Sequence, residues 1–148
     1  LVQSLHEELS GGGTLGYPLM NVRVQLLEVE VREEETTEVA LQAAASDAMH
    51  RLLTEAGVVL LEPVMQLEVV TPDEFLGPIQ ADLNARHAVI VNSQRRGDLA
   101  VLNAEVALAR MFGYSTQARS LSQGRATYSM EPLKYDEAPR DVLESMLG

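Results

Sequence analysis

Between Asn21 and Arg32 the chain alternates. Val22, Val24 and Leu26 fall on one side with Arg23 and Gln25 on the other, and then Val29 and Val31 alternate with Glu28, Glu30 and Arg32. A period of two predicts a long strand with one wet face. The phase slips at Leu26-Leu27, where a bulge or bend is expected. Upstream, Leu1, Leu5 and Leu9 repeat at helical spacing until Ser10-Gly11-Gly12-Gly13 stops them, and Gly16-Tyr17-Pro18 is a second break. Downstream, Glu33-Glu34-Glu35 ends the strand. Thr36 or Thr37 then caps a helix with Glu38 at its positive end. Leu41, Ala45, Ala48 and Leu52 form that helix's stripe, flanked by Met49 and Ala56, and Gly57 suits a left-handed stop.

From Val58 to Val70 the pattern is again a strand, interrupted by Pro63, with Met65, Leu67 and Val69 alternating with Gln66 and Glu68. Thr71-Pro72-Asp73-Glu74 reads as a helix start: Thr71 as cap, Pro72 in the first turn, Glu74 closing a capping box. Phe75, Ile79 and Leu83 stripe that helix. Ala88–Asn92 is a short strand and Arg95-Arg96-Gly97-Asp98 turns it back. Leu102, Ala104, Val106 and Leu108 line one face of the return strand, with Val101, Asn103 and Glu105 on the other. A helix lies between Tyr114 and Gln123 with Gly124 as its stop. Ala126, Tyr128 and Met130 begin the last strand, and Pro139 opens a C-terminal helix. Phe75, Ile79, Leu83, Leu121 and Tyr128 are the expected core.

The order from Val64 to Glu131 is strand, helix, strand, hairpin, strand, helix, strand. That is the α+β, ferredoxin-like split βαβ arrangement, with both helices on one face of four antiparallel strands. Residues 1–57 give only helix, strand, helix. One strand makes no sheet, so this piece is expected to belong to a larger domain and to expose apolar side chains over residues 19–31.

Charge changes the picture more than composition does. The chain carries 11 Lys+Arg against 22 Asp+Glu, a net charge of −11. That excludes a polyanion binder that uses its whole surface. Yet Asn84–Arg125 holds Arg86, Arg95, Arg96, Arg110, Arg119 and Arg125 against only Asp98 and Glu105. Such an island is a candidate anion-binding face, because the guanidinium fork holds phosphate oxygens in pairs. Six solvated arginines on scattered surfaces is the plainer reading of the same count.

Other chemistry is sparse. His6, His50 and His87 have no metal-ligand spacing, there is no Cys, and no phosphate loop or nucleophile elbow occurs. Glu33-Glu34-Glu35 suits a solvated loop better than a cation site. No catalytic residue is expected. No apolar run approaches the roughly 18 residues of a spanning helix. The first residue is Leu1 rather than Met, so a fragment is expected.

Several stretches resemble the C-terminal region of translation elongation factor G. They are Leu60-Leu61-Glu62-Pro63-Val64-Met65, Val69-Val70-Thr71-Pro72-Asp73-Glu74-Phe75, Met111-Phe112-Gly113-Tyr114-Ser115-Thr116 and Arg119-Ser120-Leu121-Ser122-Gln123-Gly124-Arg125. Gly16-Tyr17-Pro18-Leu19 and the Thr36-Thr37-Glu38 helix start fit as well, and the likeness is collinear over nearly the whole chain. It implies three parts. Residues 1–60 would be the truncated C-terminal half of domain IV, a partial α/β piece of the ribosomal-protein-S5 type. Residues 61–135 would be the ferredoxin-like domain V, and residues 136–148 a C-terminal helix.

The resemblance further implies a ribosome-docking part of a ribosome-dependent GTPase that serves tRNA–mRNA translocation or ribosome recycling. No GTPase site would lie in this chain; GTP and Mg would sit in a missing N-terminal domain. The implied partners are large-subunit rRNA, a stalk-base protein, the decoding region and a ribosome recycling factor, with no membrane. The implied location is the cytoplasm, or alternatively the mitochondrial matrix. Under it, Arg86, Arg95, Arg96, Arg119 and Arg125 are candidate rRNA contacts, and Arg32, Glu33, Glu34 and Glu35 form the tip loop of domain IV. The family's usual tip is His-Asp-Val-Asp-like. Three acids in its place would repel phosphate, which favours a recycling or divergent role. The alternative is a stand-alone ferredoxin-like domain for regulation or dimerisation, since such sheets host many functions.

Overall fold

Alternate burial along one strand organises the larger part of the molecule. In β1 (Leu61–Pro72), Met65, Leu67, Val69 and Thr71 are buried. They lie opposite Val106, Ala104, Leu102 and Ala100 of β3 (Leu99–Ala107), which are buried too. β2 (Val89–Arg96) pairs with the outer side of β3, and β4 (Thr127–Glu137) with the outer side of β1. The order is β2-β3-β1-β4 and every pair is antiparallel. Ile79 and Leu83 of α3 (Leu76–Ala85) join the cluster of Leu67, Val69, Leu102 and Val106, as do Tyr114 and Ala118 of α4 (Tyr114–Leu121). The middle of the opposite face carries a polar patch of Gln66, Glu68, Asn103, Glu105, Ser129 and Glu131. This is the ferredoxin-like α+β fold that the element order predicts.

The computed structural model describes residues 1–148, except the side chains of Thr14 and Leu147, and divides into two compact units, Leu1–Val59 and Leu60–Gly148. In the second unit several local expectations are corrected. Pro63 does not interrupt β1. It faces only Tyr135 of β4, because pairing with β3 begins at Val64, and a register shift between Val64 and Met65 follows it. A residue without an N–H fits where one side of the strand is unpaired. Thr71 is no helix cap: it is fully buried in β1, a 3₁₀ turn occupies Asp73–Phe75, and α3 starts only at Leu76. The turn of the β2–β3 hairpin is Gly97-Asp98 alone, with Gly97 at φ 64, so Arg95 and Arg96 belong to the strand. Val101 is buried although it faces away from the helices, with Val70 and Gln94 on either side. Leu108 leaves the strand for a 3₁₀ turn (Leu108–Met111) and is exposed. Tyr128 is half-exposed on the edge strand, edge-on to Tyr114. At the start of β1, Ala138 N–H donates to the Leu60 carbonyl at 2.8 Å. This ties the entering and leaving chain together before α5 (Arg140–Leu147).

The first unit contains α1 (Val2–Gly11) and α2 (Glu38–Ala56). Thr37 caps α2 by accepting from the Ala40 N–H at 3.2 Å. The buried positions of α2 are Ala45 and Met49, with Leu41 and Leu53 half-buried. The stripe therefore runs 41-45-49 rather than through Ala48 and Leu52, both exposed. Gly57 ends α2 at φ 74 but ψ 145, a positive-φ exit that is not left-handed helical. The strand expected at Asn21–Arg32 is absent: those residues have no strand pairing. The alternation is real, but a strand needs hydrogen-bonded neighbours and the described residues supply none. Val22, Leu26, Leu27, Val29 and Val31 are exposed, as anticipated for residues 19–31.

Candidate nucleic-acid interface

Three loops meet at one end of the sheet: the Asp73–Phe75 turn after β1, the β2–β3 hairpin, and residues 122–126 between α4 and β4. Register places them together, since Pro72 faces Leu99, Leu99 faces Arg96, and Thr127 faces Val70. Arg95 and Arg96 enter from the hairpin, Arg119 from the last turn of α4, and Arg125 from the loop. All four are exposed. Consecutive strand residues point to opposite faces, so Arg96 projects on the open side of the sheet and Arg95 on the helix side.

Carboxylates accompany them. Arg95 Nη2 donates to Asp73 Oδ2 at 2.8 Å, and Arg125 Nη1 to Glu74 Oε1 at 2.8 Å. The Arg125 guanidinium also lies 5.7 Å from the Phe75 ring centroid. Arg96 and Arg119 have no ion-pair partner among the described residues. The fold thus opposes four guanidinium groups with three carboxylates, Asp73, Glu74 and Asp98, a smaller excess than the count along the chain. Exposed pairs of this kind are worth only about 0–1 kcal/mol each, so the forks remain available to exchange onto another anion.

The loop that follows Arg119 and presents Arg125 is pinned. Ser122 is fully buried; its hydroxyl donates to the Ala118 carbonyl at 2.6 Å and accepts from the Ala126 N–H at 3.0 Å. Gln123 and Gly124 both sit at positive φ, and Gly124 N–H donates to the Arg119 carbonyl at 2.8 Å. Sequence reading missed Ser122, Asp73 and Glu74 as parts of this end. Asp73 and Glu74 resembled a helix-start signal, and Ser122 stood out only as part of a family-like stretch, with nothing local to mark its buried role.

Arg86 does not join them. It lies toward the other end of the sheet, beyond the C-terminus of α3 and beside the turn that follows β3. There it is mostly buried. Nε donates to Asp82 Oδ2 at 2.9 Å, and Nη1 to the carbonyls of Arg110 and Phe112 at 2.8 and 2.9 Å. Its guanidinium lies 5.3 Å from the Tyr114 ring centroid. Three of its five N–H donors hold the segment around the Leu108–Met111 turn against α3, which gives Arg86 a packing contact that the exposed arginines lack. Arg110, at the same end, pairs with Asp141 of α5 at 3.0 Å.

In the first unit, Arg32, Glu33, Glu34 and Glu35 form an exposed turn. Arg32 N–H donates to Thr36 Oγ1 at 2.8 Å, and Arg32 Nη1 pairs with Glu35 Oε2 at 3.3 Å. Among the described residues no group of His, Cys, Asp and Glu could hold a metal, and no helix is long and apolar enough to cross a membrane.

A family model described as "Elongation factor G C-terminus" matches residues 59–146. "Elongation factor G 2" of Desulfotalea psychrophila is 45% identical over 141 residues, covering 95% of this chain and 20% of that protein. "Elongation factor G" of Aquifex pyrophilus is 39% identical over 146 residues, covering 99% of this chain and 21% of that protein. A crystal structure of a Thermus thermophilus protein superposes with a TM-score of 0.83 at 31% identity, over 99% of this chain and 23% of that one. The chain spans about a fifth of the length of these relatives.

Proposed function

Given that the chain belongs to the elongation factor G family and matches its C-terminus, we propose that it docks on the ribosome through the arginine end of its four-stranded unit. One observation carries this reading. On a chain of net charge −11, four exposed guanidinium groups gather at one end, on a hairpin, the last turn of α4 and a pinned loop. Forks held that way suit the phosphates of folded rRNA, where they position the protein without reading sequence.

In this reading residues 1–60 belong to domain IV, residues 61–135 are domain V, and residues 136–148 are the closing helix. The parent is a ribosome-dependent translational GTPase of the cytoplasm or the mitochondrial matrix, with GTP and Mg held outside this chain. The Arg32–Glu35 turn faces the decoding region. Its three acids favour splitting of spent ribosomes, together with a recycling factor, over close approach to tRNA and mRNA phosphates.

The test is ribosome pelleting. Reversing Arg95 and Arg96 together to Glu should weaken binding of the chain by roughly tenfold or more, since each phosphate contact contributes separately. Reversing Glu137 and Glu144 to Lys should not weaken it. Equal losses in the two variants would remove the arginine end from the reading.

A further inference from the structure

Asp73 and Glu74 are adjacent, yet they reach in opposite directions. Asp73 spans 22 residues of sequence to Arg95 on β2, and Glu74 spans 51 residues to Arg125 in the loop that enters β4. β2 and β4 are the two outer strands, three strand spacings apart, or about 14 Å. The two carboxylates therefore bias two exposed forks toward opposite flanks of one sheet end, without locking either. Neither carboxylate serves the helix it precedes: the turn they occupy has no side-chain cap, and α3 starts at Leu76 without one. Placing negative charge at a phosphate-binding end lowers its attraction for any polyanion, so another effect must offset that loss.

Resting on the ribosome-docking reading above, we propose that Asp73 and Glu74 are specificity-determining residues, which make the arginine end select folded RNA over flexible polyanion. A flexible strand must either break both ion pairs, at a modest cost for each, or drape around the paired forks and lose its own freedom as it does so. A folded RNA already presents phosphates at fixed separations and can engage the remaining N–H groups of both forks, since each guanidinium has five donors and each pair occupies one. The carboxylates thus penalise the wrong partner more than the right one.

The experiment compares the whole chain with its Asp73→Asn/Glu74→Gln variant, which keeps shape and removes charge, against poly(U) and against purified large ribosomal subunits at one salt concentration. The variant should bind poly(U) several-fold more tightly and the subunit nearly as the parent does, so the preference for the subunit falls. A control variant, Glu137→Gln/Glu144→Gln, changes net charge equally away from this end and should leave the preference unchanged. Equal gains for both ligands, no gain for poly(U), or the same change in the control would each overturn the proposal. Failure of the docking reading looks different: reversal of Arg95 and Arg96 would then leave both ligands bound as before.

Discussion

Two side chains at the end remote from the exposed arginines show how far a residue's role depends on distant partners. In sequence Arg86 resembles Arg119 or Arg125. Its partners at Arg110 and Phe112 lie 24 and 26 positions away, and no local spacing announces them. Arg86→Ala should destabilise the chain by about 2–4 kcal/mol in urea unfolding, because it leaves Asp82 and two carbonyls without their donor in a mostly buried place. Arg86→Lys should recover only part of that, since an ammonium is not a planar fork. Tyr114 makes the complementary case. Its hydroxyl is buried without a hydrogen-bond partner among the described residues. Burial, and after it the nearby Asp82 carboxylate, push its pKa from 10.0 up to about 12. Between those values the unfolded chain releases a proton that the folded chain keeps, so this contribution is complete below pH 10 and is lost as pH rises toward 12. Tyr114→Phe should abolish that part of the alkaline fall. At neutral pH it should change stability by less than about 1 kcal/mol, since no hydrogen bond is removed. Denaturation followed across the alkaline range checks both statements.

At the scale of elements, patterns that close within a few residues were legible and patterns that need a neighbour were not. The Thr37 cap, the Pro139 start of the last helix and the alternation of β1 all stand in the structure as the residues suggest. Thr71-Pro72-Asp73-Glu74 has the letters of a capping box, yet Thr71 is claimed by the sheet opposite Ala100, and burial outweighs a cap. The alternation at Asn21–Arg32 has no strand beside it and forms none. The phase of the α2 stripe is ambiguous in sequence because several small residues share neighbouring faces, and only packing selects Ala45 and Met49. The turn after α1 is more demanding. Gly12 has φ +81, and a Cβ there would run into the backbone of Tyr17. Gly12→Ala should therefore cost about 1–3 kcal/mol, more than Thr37→Ala at about 1 kcal/mol. Side-by-side melts that ranked them the other way would show that the turn can relax.

For the molecule as a whole, the order of elements was enough to give the fold, because a split βαβ pattern has few ways to fold back on itself. The candidate site was legible in kind but not in composition. A count along the chain includes Arg86 and omits Asp73 and Glu74, whereas the sheet sends Arg86 to one end and brings both carboxylates to the other. If four phosphates are engaged, the logarithm of the ribosome association constant should fall with the logarithm of salt at a slope of about −3, from roughly 0.7–0.9 per phosphate. A flat salt titration would mean that the contact is made by something other than these arginines. The bond between Ala138 and Leu60 has a mechanical meaning as well. Both ends of the four-stranded unit's sheet emerge at a single root, and the arginine-bearing loops sit at the far tip of the strands. A pull applied there travels lengthwise along covalent backbone instead of peeling strands apart sideways. Within the unit, load is taken along the strands from tip to root.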